Sequence, residues 1–81
     1  MKKSSPREYV IHATWDAVAS VWVAESEDVP GLITEAKTFE ALLKKLRTLV
    51  PELLELNGGK RRSGSISYRV LAERRESAQA A

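Results

Sequence analysis

Between Thr38 and Asn57 the residues Phe39, Leu42, Leu43, Leu46, Leu49, Val50, Leu53 and Leu54 recur at steps of three and four. That period draws one apolar stripe along an α-helix and keeps Glu40, Lys44, Lys45, Arg47, Glu52 and Glu55 off it. Thr38 is placed to accept a hydrogen bond from a free amide of the first turn, and Glu40 sets negative charge near the positive end of the helix dipole. Asn57, Gly58 and Gly59 reach left-handed conformations at low cost and mark the end. Pro51 removes one amide donor and crowds the carbonyl of Arg47. Because the stripe continues in phase from Val50 to Leu53 and Leu54, the expectation is one kinked helix with Leu56 also buried, not two helices. A single stripe does not return the entropy lost in ordering the helix, so the remaining core has to come from strands.

The rest of the chain supplies four candidates. Residues 8–15, EYVIHATW, and 20–26, SVWVAES, are rich in β-branched and aromatic residues and read as a hairpin turned at Asp16. A connection of residues 16–19 would pair Trp15 with Ser20, Ala13 with Trp22 and Ile11 with Ala24. One face then carries Tyr9, Ile11, Ala13, Trp15, Trp22 and Ala24, and the other Val10, His12, Thr14, Val21, Val23 and Glu25. A slip of one residue would exchange the Trp22 and Val23 sets. Pro30 and Gly31 suit the two central positions of a type II turn. A short third strand, residues 32–36, follows that turn. After the helix, residues 58–65 read as a linker, and residues 66–75, ISYRVLAERR, alternate as a fourth strand. The order β-β-β-α-β makes an α+β domain. A meander of three strands followed by a right-handed crossover gives sheet order 3-2-1-4, with the helix on one face.

The expected organisation is a flexible basic arm at residues 1–7, one domain at 8–75 and a disordered tail at 76–81. Its 81 residues allow only a thin core, so association with a second copy as a homodimer or larger homo-oligomer, or with a partner, is expected. The absence of cysteine removes disulfide, thiol-nucleophile and zinc-thiolate chemistry. No apolar run approaches the roughly 20 residues of a membrane helix, and the N-terminus lacks the apolar core of a signal peptide. A cytoplasmic protein with no membrane association is expected.

The stretch from Trp15 to Gly58, with the strings VWVA, DVPGL, EA-x-T and PELLE and a T-x-x-x-L entry into the helix, resembles HicB-like antitoxins. It is close to a small stand-alone subgroup of that family. The resemblance implies a partial ribonuclease H-like fold without nuclease activity. It also implies a non-catalytic role, in which the domain binds and neutralises a HicA-type ribonuclease toxin by protein-protein contact. Many such antitoxins continue into a DNA-binding segment. Here only ESAQAA follows the fourth strand, so operator binding is not expected.

One helix covers only one face of a sheet whose two faces both carry apolar residues. The uncovered face is therefore the candidate partner surface, drawn from Val10, His12, Val21, Trp22, Val23, Glu25, Glu27 and Asp28. The carboxylates of Glu25, Glu27 and Asp28 would face a basic, RNA-binding toxin. His12 is the single histidine, so no ordinary zinc site is available, and no nucleophile accompanies it. Asp16, Glu25, Glu27, Asp28, Glu35 and Glu40 fall mainly at turns and strand ends instead of converging as a nuclease metal cluster. Neither a catalytic site nor a cofactor is expected. The alternative function is a small RNA- or DNA-binding module using Lys60, Arg61 and Arg62 with Arg69, Arg74 and Arg75, since the last third of the chain, residues 60–81, carries net charge +4.

Overall fold

The computed structural model describes residues 8–58 and 65–80. Its elements follow the expected order: β1 (Tyr9–Asp16), β2 (Val21–Glu25), β3 (Ile33–Ala36), α1 (Phe39–Leu56) and β4 (Tyr68–Glu73). They form one four-stranded sheet in the order β3-β2-β1-β4. β1 is antiparallel to β2 and β2 to β3, whereas β4 enters parallel to β1. The proposed arm at residues 1–7 and most of the linker, residues 59–64, lie outside the described residues. Residues 76–80 are exposed and belong to no helix or strand.

The helix begins where its cap predicts. Thr38 is extended, and its hydroxyl accepts from the Ala41 amide at 3.0 Å. The helix then runs unbroken through Pro51, which supports one helix over two. At its end Gly58 takes a positive φ of 91°, and the Asn57 side-chain amide donates to the carbonyls of Leu53 at 2.7 Å and Pro30 at 2.9 Å. Asn57 thereby ties the last turn of the helix to the loop before β3. Leu42, Leu46 and Val50 are fully buried, a ridge at steps of four, while Phe39, Leu43, Leu49, Leu53 and Leu54 pack partly buried beside it. Leu56 departs from expectation. It is 81% exposed, at the last position of the helix and beyond the packed Leu53 and Leu54.

The helix packs over β2 and β3. Opposite its ridge lie Ile11, Ala13, Ala24 and Ala36, with Val29 and Leu32 closing the core from the turn. Ala13 and Ala24 face each other directly across the β1–β2 ladder. Two methyl groups leave space there for leucines on the helix. The Val29–Leu32 turn has the expected form: Leu32 donates to the Val29 carbonyl at 3.1 Å, and Gly31 holds φ at 86°.

The hairpin register differs from the expected one by two residues. Trp15 faces Trp22 and Ala13 faces Ala24, because Asp16 stays in the strand opposite Val21 and the loop is Ala17–Ser20. Its cause is the loop chemistry. Asp16 Oδ1 accepts from the amides of Val18 and Ala19 at 3.0 and 3.1 Å, its carbonyl accepts from Ser20 at 2.7 Å, and Ser20 closes the loop at a φ of 58°. Since the shift is an even number, each side chain keeps its expected face.

Candidate partner surface

Even-numbered residues of β1 and odd-numbered residues of β2, β3 and β4 share the face turned away from the helix. Among the expected contact residues, Val10, His12, Val21, Val23 and Glu25 lie on this face. Trp22 does not. It points to the helix side, where its ring meets Phe39 at 5.2 Å and Trp15 at 5.6 Å between centroids. Arg74 completes that row with its guanidinium carbon 4.2 Å from the centre of the Trp15 ring. Trp22 is thus a packing residue at one end of the core, and the two-residue register change leaves it there.

The open face is mixed in character. Val21 is buried, Val10 and Val23 are half-buried, and Ile33 and Leu71 are exposed at 70% and 43%. Between them stand Thr14, Glu25, Glu35, Arg69 and Glu73, all exposed. One row of the sheet reads Ile33, Glu25, His12, Leu71 from β3 to β4. His12 is therefore a surface residue between a carboxylate and a leucine.

Beyond Glu25, β2 ends and its side chains take over from its backbone. Val10 turns its N–H and C=O toward β2, but the strand has already bent away. The Val10 amide instead donates to Asp28 Oδ2 at 2.8 Å, and the Ser26 hydroxyl donates to the Val10 carbonyl at 2.6 Å. Ser26 Oγ also accepts from the amides of Asp28 and Val29 at 3.0 and 3.3 Å. This S-x-D arrangement satisfies both main-chain groups of a half-buried residue. It leaves a depression of about 420 Å³ lined by Val10, His12, Glu25, Ser26, Glu27, Asp28 and Leu32. Glu25 and Glu27 are exposed at its rim, while Asp28 is half-buried and committed to Val10. Spacing alone did not reveal the roles of Ser26 and Asp28, although serine, aspartate, proline and glycine so close together signal an organised turn.

Of the basic residues of the alternative function, the described Arg69 and Arg74 lie on opposite faces of the sheet. Lys60, Arg61 and Arg62 lie outside the described residues. Arg69 is on the open face, 3.4 Å from the carboxylate of Glu8, and Arg74 pairs with Glu76 while stacking on Trp15 on the opposite side of the sheet. Arg75 is exposed. Of the acidic residues, Asp16 is occupied in its own loop and Glu40 sits in the first helical turn. Among the described residues no three histidine, aspartate or glutamate side chains are grouped to hold a metal ion, and no helix is long and apolar enough to cross a membrane.

Comparison with known proteins agrees with this geometry at the level of the fold. A hypothetical protein, TTHA1013 from the extremely thermophilic bacterium Thermus thermophilus, has a crystal structure that matches over 91% of this chain and 100% of its own. Sequence identity is 43% and the TM-score is 0.64. No curated protein matches the chain. A family profile described as a domain of unknown function, DUF1902, covers residues 8–80, which takes in all four strands and the helix. The chain accordingly belongs to the DUF1902 family.

Proposed function

We propose that this chain is a non-catalytic HicB-like antitoxin domain that binds and neutralises a small HicA-type ribonuclease toxin in the cytoplasm. The observation that carries the reading is the corner where β2 ends: half-buried Val10 and exposed His12 lie beside exposed Glu25 and Glu27 on a rigid, internally hydrogen-bonded frame. A largely polar depression with a carboxylate rim suits a basic protein surface built to hold RNA. The resemblance of residues 15–58 to HicB-like antitoxins takes in Glu25, Ser26, Glu27 and Asp28 of that corner and the helix behind it, while Val10 and His12 precede the matched stretch. Arg69 and Arg74 already have carboxylate neighbours, which lowers their availability to phosphate relative to the alternative nucleic-acid reading.

The test is co-expression with the product of the neighbouring small reading frame. Growth rescue and copurification are expected, and both are lost in the Glu25→Lys, Glu27→Lys double variant. Asp28 is left out of that variant because it also supports Val10. Absence of rescue and of any complex with that product overturns the reading. Salt-sensitive binding of the lone chain to single-stranded RNA would favour the nucleic-acid alternative instead.

A further inference from the structure

β4 is the strand that the fold leaves half finished. Its neighbour β1 carries buried Tyr9, Ile11 and Ala13, yet none of the six β4 residues is buried, although Tyr68, Val70, Leu71 and Ala72 are apolar. The cause is placement: the helix lies over β2 and β3, and β4 stands at the outer edge of the sheet. The Tyr9 amide donates to the Ser67 carbonyl at 3.3 Å, so Ser67, Arg69, Leu71 and Glu73 direct their backbone groups toward β1. Tyr68, Val70 and Ala72 direct theirs outward.

The other edge is guarded. β3 has four residues, of which Ile33 and Glu35 face outward, and the Lys45 ammonium donates to the Glu35 carbonyl at 2.6 Å. Lysine at a sheet edge blocks addition of a further strand. No such device protects β4 among the described residues.

We propose that β4 pairs antiparallel with β4 of a second copy of this chain, about a twofold axis at Leu71, to form one eight-stranded sheet. In this register Leu71 meets its own counterpart, and Arg69 faces Glu73 of the second copy, twice by symmetry. Val70 faces Ala72 with their outward backbone groups hydrogen-bonded. Leu71, Arg69 and Glu73 then occupy the non-hydrogen-bonded sites, where side chains approach most closely. Charge selects this register and the second copy as occupant: Arg69, which lies 3.4 Å from Glu8 of its own chain, gains Glu73 of the second copy as a further carboxylate on its open edge. Moving the axis to Val70 leaves Arg69 opposite a leucine, and moving it to Ala72 sets Arg69 against Arg75. The contact is isologous and closes on itself, so it ends at a dimer. It uses the β4 edge and stands independently of the antitoxin reading, whose contact lies where β2 ends.

The test uses the full chain. Sedimentation across a concentration series is expected to show a monomer–dimer equilibrium. Glu73→Arg places like charges together twice and weakens the dimer by about tenfold or more, and adding Arg69→Glu restores it. The chain has no cysteine, so Leu71→Cys under mild oxidation gives a disulfide-linked dimer, whereas Thr14→Cys on the same face does not. Circular dichroism shows whether each variant keeps its fold. A wild-type monomer at every concentration overturns the proposal, and so does a dimer that Glu73→Arg leaves intact or that Leu71→Cys fails to cross-link in preference to Thr14→Cys.

Discussion

Asp28 Oδ2 accepts a hydrogen bond from the Val10 amide at 2.8 Å, eighteen residues away in sequence, and so stands in for the strand backbone that β2 no longer provides. With Ser26 bonded to the Val10 carbonyl, two side chains extend the sheet by one step while the main chain turns toward Pro30. The candidate partner corner rests on this substitution.

Asp28→Ala is accordingly expected to destabilise the fold by about 1–3 kcal/mol, since it strands a half-buried amide. Asp28→Asn keeps an acceptor oxygen and should lose less. Urea unfolding followed by circular dichroism measures both, and equal losses in the two variants would show that the hydrogen bond is not what matters.

Ser20 holds a φ of 58° to close the β1–β2 loop, a conformation that costs a non-glycine residue about 1 kcal/mol or more. Ser20→Gly should therefore stabilise the protein by up to about 1 kcal/mol, after the added freedom of the unfolded glycine is subtracted. A lower thermal midpoint in this variant would contradict the assigned loop geometry.

Gly31 presents the reverse case. An added methyl group would meet nothing closer than Leu53 Cδ2 at 3.7 Å, so space is adequate, but its φ of 86° is unfavourable for alanine. Gly31→Ala should cost roughly 1–2 kcal/mol through backbone strain alone. For a domain of this size the thermal midpoint would fall by about 4–8 °C for each kcal/mol.

Trp22 bridges Trp15 and Phe39 at the helix N-terminus, and its loss would undo two ring contacts together. Trp22→Ala is expected to cost about 3 kcal/mol, the lower end for a large aromatic because the residue is only half-buried. If Trp22 instead belonged to a partner surface, as its sequence context allows, stability would hardly change.

Several features of the fold are legible in the sequence. Steps of three and four from Phe39 to Leu54, bracketed by Thr38 and Asn57, specify the helix, because capping and side-chain period are local properties. The Pro30–Gly31 turn is local in the same sense. Sheet order followed from connection lengths and handedness, and the facing of each β1 and β2 residue followed from strict alternation. A two-residue change in hairpin register keeps those faces, since it preserves parity.

Residues distant in sequence settled the remainder. Which apolar face the helix covers depended on helix position, and that drew Trp22 inward while leaving Val23 on the open side. The hairpin register turned on which single residue took a left-handed conformation, a choice between serine and its neighbours that period and composition do not make. Asp28 and Ser26 gained their roles only when the chain brought them beside Val10. Local patterns thus determined the elements and their order, and long-range packing decided which surfaces were left for another molecule, because burial is a property of the assembled layers and not of any one of them.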